Sequence, residues 1–325
     1  MRIIITGATG ALGAYLTRYF SLKGNEVIAH GRDKNPPVSL LKYASYFQAD
    51  ITRPFRFPEA DVCIHAAAVA DDKANSEELY NPNVLGTQYV AEAAKQCKIF
   101  IHISSSSVYL PEDIPITEEM AGEQNDKLLS PYGKSKLLSE KALIKTSLYE
   151  SCYILRPRAL YGAGDKVILP RILKLVKKNI FNRPGKMEIA VSMTHYENIA
   201  HAIQLCINSK KEGVNIYNIA DDKTYILVEI IRKIVKELYN KELPEKEIKV
   251  AVLKLLAFFK IGGITPLLVR SFTKNMVLDI TKIKKELNYS PSVNFDIQLK
   301  EMGEWVRSIG GVEVIKHGNK KLAWE

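Results

Sequence analysis

The stretch that most narrows what this chain can fold into is residues 2–13, RIIITGATGALG. Three consecutive isoleucines, Ile3, Ile4 and Ile5, suit a strand buried on both faces, as strands of a parallel sheet are. Gly7, Gly10 and Gly13 follow at G-x-x-G-x-x-G spacing, and Leu12, Tyr15, Leu16, Tyr19 and Phe20 then recur at helical spacing. A strand, a turn almost without side chains and a helix make a place for a diphosphate. Backbone N–H groups come close to the anion, and the helix N-terminus adds its partial positive charge.

The first half of the chain repeats this alternation. RIIIT, EVIAH, YFQAD, DVCIHAA, KIFIHISS and SCYILRP read as strands, with helical stretches near 12–23, 83–97 and 132–147. That rhythm predicts an α/β fold with a doubly wound parallel sheet. After Pro157 the rhythm breaks. GAGDKVILPRILKLVKKNIF predicts a loop and a basic helix, VSMTHYENIAHAIQLCI a turn and a helix, and GVNIYNIA one more strand. LVEIIRKIVKELYNKE is an amphipathic helix whose buried face is Leu227, Ile230, Ile231, Ile234, Val235 and Leu238. Residues 1–160 are therefore expected to form the nucleotide-binding domain. Residues 161–325 are expected to form mainly a smaller lobe capping a cleft, with segments near 190–220 returning to the sheet.

Several classes are excluded. No run approaches the roughly 20 apolar residues of a membrane span. The nearest, VAVLKLLAFFKIGGI, is interrupted by Lys254 and Lys260 and reads as an amphipathic helix covering a pocket, in preference to one lying on a membrane surface. The N-terminus is too short in apolar residues for a signal peptide. Cys63, Cys97, Cys152 and Cys206 stand far apart with no C-x-x-C, the pattern of reduced core thiols in a cytoplasmic protein, and no metal site is expected. The net charge of +10 admits nucleic acid. No basic run is interleaved with aromatics, however, so an anionic small molecule is the expected partner.

The end of the second strand selects among dinucleotides. A free ribose 2′-OH is usually met there by a carboxylate; here Gly31 holds that place and Arg32 follows. Glycine leaves room for a 2′-phosphate and a guanidinium can bind one bidentately, so NADP is preferred and NAD remains possible. The competing reading pairs Arg32 with Asp33 in an exposed turn. Asp50, closing the third strand, is placed to accept from an adenine amino group. HAAA, residues His65 to Ala68, offers small side chains where backbone must approach ribose and pyrophosphate.

The chemical signal is SPYGKSK. Tyr132 and Lys136 stand at i, i+4 on one helix face, behind a Ser130 N-cap and Pro131 at the first helical position. Upstream, ISSSSVY is a strand ending in four hydroxyl side chains. Reduction of a carbonyl needs a proton donor at oxygen. A phenol, near pKa 10 unperturbed, serves when a neighbouring ammonium lowers its pKa. Lys136 can supply that charge and bind ribose hydroxyls, and a serine can hold the substrate oxygen.

Taken together, TGATGALG, Asp50, HAAA, NVLGT (83–87), SSSSVY, YGKSK, LRPRALYGAGD and VLDITKIKKELNYSP resemble the extended short-chain dehydrogenase/reductase superfamily, the NAD-dependent epimerase/dehydratase family, over nearly the whole chain. The resemblance implies a Rossmann domain with a C-terminal substrate lobe and, usually, a homodimer through a four-helix contact. It makes Tyr132 the acid/base, Lys136 its partner and Ser105 the catalytic serine. It assigns the dinucleotide to Gly7, Thr9, Gly10, Ala11, Leu12, Arg32, Asp50, Ile51, Ala66, Ala67, Ala68, Asn83, Ser104, Tyr132, Lys136 and Pro157, and the substrate to Ser106, Ser107, Arg158, Ala159 and Arg171.

Departures from the family pattern narrow the chemistry. Ser106 and Ser107 stand where 4,6-dehydratases of the family carry an Asp-Glu pair, and SSSSVY lacks the cysteine used by members that epimerise beside a ketone. Alcohol/ketone chemistry remains. Ala159 replaces an Asn common in sugar-nucleotide epimerases, while Arg158, Arg171 and RILKLVKK can engage a diphosphate or simply be solvated. The leading expectation is a 4-keto reductase or 4-epimerase acting on a nucleotide sugar. The alternative is an NADPH-dependent reductase of an apolar ketone, similar to the hydroxysteroid or dihydroflavonol branch, with the 250–264 segment as a greasy lid. A non-catalytic dinucleotide-sensing or RNA-binding scaffold has no need of Ser105, Tyr132 and Lys136 together.

Overall fold

The computed structural model describes residues 1–70, 74–122, 128–146, 148–259, 261–293, 295–318 and 321–324. Strands β1 (Arg2–Thr6), β2 (Glu26–Gly31), β3 (Ser45–Gln48), β4 (Val62–His65), β5 (Ile99–Ile103), β6 (Ser151–Pro157) and β7 (Gly213–Ile219) form one sheet in the order β7-β6-β5-β4-β1-β2-β3. Every pairing in it is parallel. The doubly wound α/β sheet expected from the sequence is the fold.

The isoleucine run is explained by the two faces it must cover. Ile3 and Ile5 point to one side with Val27, Ile64, Ile101, Tyr153 and Tyr217. Helices α1 (Ala11–Leu22), α6 (Tyr196–Ser209) and α10 (Thr281–Leu287) contribute Leu16, Phe20, Ile203 and Ile283 to that layer. Ile4 points to the other side, with Ile28, Cys63, Phe100 and Cys152, under α3 (Gly86–Ala93) and α4 (Pro131–Thr146). A central strand of a parallel sheet has no solvent face, so apolar residues are continuous rather than alternating. All four cysteines are free and buried.

A separate core is built mainly by the second half of the chain, with Val108, Tyr109, Ile116, Leu129 and Leu137 from the first half. It gathers α5 (Ile168–Leu173), α7 (Leu227–Tyr239), α11 (Phe295–Ser308) and α12 (Val312–Lys316) around Leu169, Ile231, Met302, Trp305 and Ile315. The last described residues return to the glycine turn. Leu322 is buried among Ala8, Ala14, Ala29 and Leu40, directly beside the glycine turn, and Trp305 Nε1 donates to its carbonyl at 3.1 Å.

Two expectations of the sequence are corrected. The predicted basic helix through RILKLVKK stops at Leu173, and Val176–Lys177 instead pairs antiparallel with Ile180–Pro184. Lys178 and Asn179 both have positive φ, 51° and 56°, the backbone of a type I′ hairpin turn, which asparagine tolerates well. The 250–264 segment is also not one helix. Helix α8 (Val250–Phe258) gives way to a turn in which Gly262 has φ 65°, followed by α9 (Pro266–Ser271); Lys260 lies outside the described residues. Among the described residues no helix is long and apolar enough to cross a membrane.

Candidate active site

The glycine turn is built by contacts that tolerate no side chain. A Cβ at Gly7 would lie 2.8 Å from Ala67 Cα, and one at Gly13 would lie 2.2 Å from the Gly7 carbonyl oxygen. Gly7 has φ +68°, and Gly10 N donates to its carbonyl at 2.9 Å. The turn is therefore pressed onto the backbone of HAAA, and Thr9, Gly10, Ala11 and Leu12 open α1 at the end of β1. Such a cradle fits a dinucleotide diphosphate. Lys166 Nζ reaches across from the second lobe to the Thr9 carbonyl at 3.2 Å.

A chain of hydrogen bonds holds this cradle to NVLGT. Ala67 N donates to Thr6 Oγ1 (3.1 Å), which lies 2.7 Å from His65 Nδ1. His65 Nε2 is 3.0 Å from Thr87 Oγ1, whose own proton goes to the Asn83 carbonyl at 2.6 Å. Asn83 sits in a π-helical turn, Asn81–Leu85, between α2 (Ser76–Tyr80) and α3. Pro82 lacks an N–H there, and single π turns recur at functional sites. The Asn83 amide bonds Val69 N and O and donates to Ser135 Oγ at 2.9 Å, tying the turn to α4.

Helix α4 carries the central pair. Ser130 Oγ accepts from Gly133 N at 3.0 Å, as the capping pattern predicts. Lys136 is fully buried, and its Nζ donates to the Ile103 carbonyl at 2.8 Å and lies 3.2 Å from His102 Nε2. His102 stacks on His65 with ring centroids 5.3 Å apart. Burial holds both imidazoles far below their ordinary pKa, hence neutral. The same burial drives Lys136 down to about 7, against the upward pull of the Glu140 carboxylate one turn along. Tyr132, half-buried, is one turn before Lys136 on the same helix.

The serine run divides its work. Ser104 donates to Glu140 and so faces inward, while Ser106 is buried. Ser105 Oγ accepts from Ser107 N and donates to Ser107 Oγ, both at 3.1 Å, leaving these two hydroxyls as the pair next to α4. The approach is close: a Cβ on Gly133 would lie 2.1 Å from the Ser107 carbonyl oxygen. Gly133→Ala is therefore expected to push α4 away from the serines. A displacement of this kind costs on the order of 10²-fold in turnover, with dinucleotide affinity largely kept. Steady-state kinetics beside dinucleotide titration checks it, and near-normal turnover refutes it.

The remaining predicted residues line the strand ends. Arg32 is exposed just past β2, and among the described residues it pairs with no carboxylate, Asp33 included. A Cβ at Gly31 would meet Tyr46 Oη at 2.6 Å, and that hydroxyl is held by the Asp33 carbonyl. Asp50 accepts from Thr52 N and Oγ1, which hold its carboxyl below the usual range. Ile51 packs at Gly86, and Pro157 ends β6 opposite Ile219.

Beyond Pro157 the chain turns sharply, with Ala159 at φ 44°, a conformation asparagine adopts more readily than alanine. Arg158 Nε is buried without a partner. Burial and then the nearby Arg171 charge pull the Arg158 guanidinium down to about 10. Two adjacent guanidiniums favour an anion between them. The roles of His65, His102, Gly133 and Glu140 come only from the packing of β4, β5 and α4, which no short stretch of sequence displays.

The chain is similar to several proteins with a named activity. A UDP-glucose 4-epimerase of Vibrio cholerae is 27% identical over 89% of this chain and 90% of its own length. A 2-alkyl-3-oxoalkanoate reductase of Stenotrophomonas maltophilia is 25% identical over 66% of this chain and 67% of its own. The crystal structure of UDP-glucuronic acid 4-epimerase from Bacillus cereus in complex with NAD superposes with a TM-score of 0.74 at 20% identity, covering 95% of this chain and 99% of that one. The family model for the NAD dependent epimerase/dehydratase family matches residues 3–220. With its glycine cradle, its Tyr132–Lys136 helix and that match over most of its length, this chain belongs to the NAD dependent epimerase/dehydratase family.

Proposed function

We propose that the protein is an NADP-preferring oxidoreductase that interconverts a secondary alcohol and a ketone on a nucleotide sugar. The observation that carries the chemistry is Lys136, anchored on the Ile103 carbonyl one helical turn from Tyr132, on the helix that Gly133 seats against the Ser107 carbonyl. The glycine turn and the HAAA backbone would hold a nicotinamide dinucleotide, which would supply hydride to the carbonyl carbon or, in the reverse direction, take it from the carbinol carbon. Tyr132 Oη gives its proton to the carbonyl oxygen as the alcohol forms. The Lys136 ammonium stabilises the phenolate left behind, and its remaining N–H is the donor for a ribose hydroxyl. Ser105 turns its hydroxyl from Ser107 to the substrate oxygen. Arg158 and Arg171 take the diphosphate. Tyr80, Leu138 and Ile144 are exposed on α2 and α4 and suit a homodimer through those helices.

NADP(H) is expected to bind more tightly than NAD(H), with Arg32→Ala removing most of the difference. One charge-assisted contact to a phosphate contributes about 1.5–3 kcal/mol, so the preference should be roughly 10–100-fold. Titration of both dinucleotides against both proteins measures it, and equal affinities in the unmutated protein would end the proposal. A reductase exchanges its dinucleotide every cycle, purifies largely empty and consumes NADPH one-for-one with product. Close to one NAD per chain in the denatured protein would instead indicate a 4-epimerase.

A second reading has its own support. Ala159 removes the amide, and an acidic ketone with an apolar body would satisfy the two arginines as well as a diphosphate does. The Stenotrophomonas relative is a reductase of this substrate type by name. A thermal-shift panel of UDP and dTDP sugars against a long-chain 3-oxo acid separates the two. A ligand at 100 times its Kd adds about 2.7 kcal/mol of stability.

A further inference from the structure

The α8–α9 hairpin presents an apolar face that no other described residue covers. Val252, Leu255, Phe258, Phe259, Ile261 and Leu268 are all large and exposed, Phe258 by 79% and Phe259 by 61%. Among the described residues Leu253, Ala257 and Val269 are buried, and Leu256 and Leu267 are half-buried. The three buried residues form a small core of their own with Ile248, Val250 and Ile264, apart from the core of the second lobe. Gly262 and Gly263, both at positive φ, turn the chain between the helices, so Phe258, Phe259 and Ile261 sit at the hairpin tip.

The charge around this face is one-sided. Residues 249–276 contain Lys249, Lys254, Lys260, Arg270 and Lys274 and no Asp or Glu. Arg270 and Lys274 are taken up at the base of the hairpin. Arg270 Nη2 donates to the Pro111 carbonyl at 2.9 Å and pairs with Glu112 at 3.0 Å, while Lys274 pairs with Asp113. That base is the loop that follows Tyr109 and the serine run. Lys249 and Lys254 remain exposed beside the apolar residues.

We propose that this hairpin is a docking surface for an anionic lipid bilayer, seating the protein on a membrane without spanning it. A short helix with exposed aromatic and aliphatic residues flanked by lysines lies in the interface plane. Its apolar side chains enter the headgroup–acyl boundary, and its cations meet lipid phosphates. The charge selects this occupant. A second copy would set lysines against lysines, and α2 and α4 offer self-association a separate apolar face. Contiguous exposed apolar surface of this kind marks an interaction site. The docked hairpin would hold the loop after the catalytic serines at the membrane, within reach of an amphiphilic substrate. The proposal does not depend on which substrate that is.

The test is co-sedimentation of the full chain with vesicles of phosphatidylcholine alone or mixed with phosphatidylglycerol. Two double variants are compared, F258S/F259S and K249E/K254E, with NADPH affinity as the control for folding. The expected result is binding to the mixed vesicles that weakens with salt and falls at least about tenfold in each variant, with NADPH affinity unchanged. Three results overturn it: no binding to mixed vesicles at low salt, binding that both variants retain, or a wild-type dimer that F258S/F259S turns into monomers. The last would make the face a contact between copies of this chain. Loss of NADPH binding in the unmutated protein would fall on the functional proposal and leave this one standing.

Discussion

Tyr132→Phe is expected to lower turnover by a factor of roughly 10²–10⁴, the usual contribution of a positioned general acid, while dinucleotide affinity stays nearly unchanged. The asymmetry follows from where the parts sit. The glycine turn is fixed by contacts of Gly7 and Gly13 with the Ala67 and Gly7 backbones, none of which involves the phenol. The ring keeps its place on α4, and only the proton is removed. Lys136→Ala should damage both quantities, since in the proposed mechanism the ammonium serves the ribose and the phenol together. It also empties a buried site next to His102 and the Ile103 carbonyl. Kinetics of the phenylalanine variant on whichever ketone the thermal-shift panel identifies is the measurement. Near-normal turnover there would reduce Tyr132 to a helix residue with no part in the reaction.

The parts of this site that were legible in the sequence are those whose reasons are local. Ile3–Ile5 and the glycine spacing state a buried strand and a bare turn in one stretch of chain. Ser130 and Pro131 mark the start of α4, and the i, i+4 spacing puts Tyr132 and Lys136 on one face. What was illegible depends on distant partners or on which surface an apolar face meets. Gly133 reads as an ordinary helix glycine until the Ser107 carbonyl is found against it. The histidines of HAAA and FIHIS meet only because β4 and β5 are neighbours in the sheet. In the segment after Pro157 the short-range signals conflict. LKLVKK has helical spacing, yet Lys178-Asn179 turns a hairpin. The 250–264 run has the composition of a lid, yet most of its apolar residues face out because only a small core, Leu253 and Ala257 with Val250 and Ile264 against them, forms among its described residues.

Glu140 is where stability and chemistry meet, and its removal should be the most damaging single change to the fold. Its carboxylate takes Arg156 in a bidentate pair, Nη2 to Oε2 at 2.6 Å and Nε to Oε1 at 3.1 Å, with both side chains almost wholly out of water. Arg156 in turn donates to Tyr109 Oη at 2.8 Å and to the Glu118 carbonyl at 2.7 Å. Tyr109 passes its own proton to Asn218 on β7. The pair thus joins α4, β6, β7 and the loop after the serines. Glu140→Ala leaves the Arg156 guanidinium buried with no counter-charge, a situation that costs about 3–5 kcal/mol. That is a large share of the roughly 5–15 kcal/mol that holds a typical protein folded. The change also withdraws the carboxylate that pulls Lys136 upward against burial, so the Lys136 pKa should fall from about 7 to a lower value. Less ammonium is then present at neutral pH, and activity lost by the variant should return in part as the pH is lowered. Glu140→Gln keeps the shape and part of the hydrogen bonding, and should be intermediate in stability while sharing the acid-shifted pH profile. Chemical denaturation of the three proteins gives the first quantity and the pH profile of turnover the second. A Glu140→Ala variant within about 1 kcal/mol of the unmutated protein, with an unshifted profile, would show that neither the buried pair nor its hold on Lys136 matters as the geometry requires.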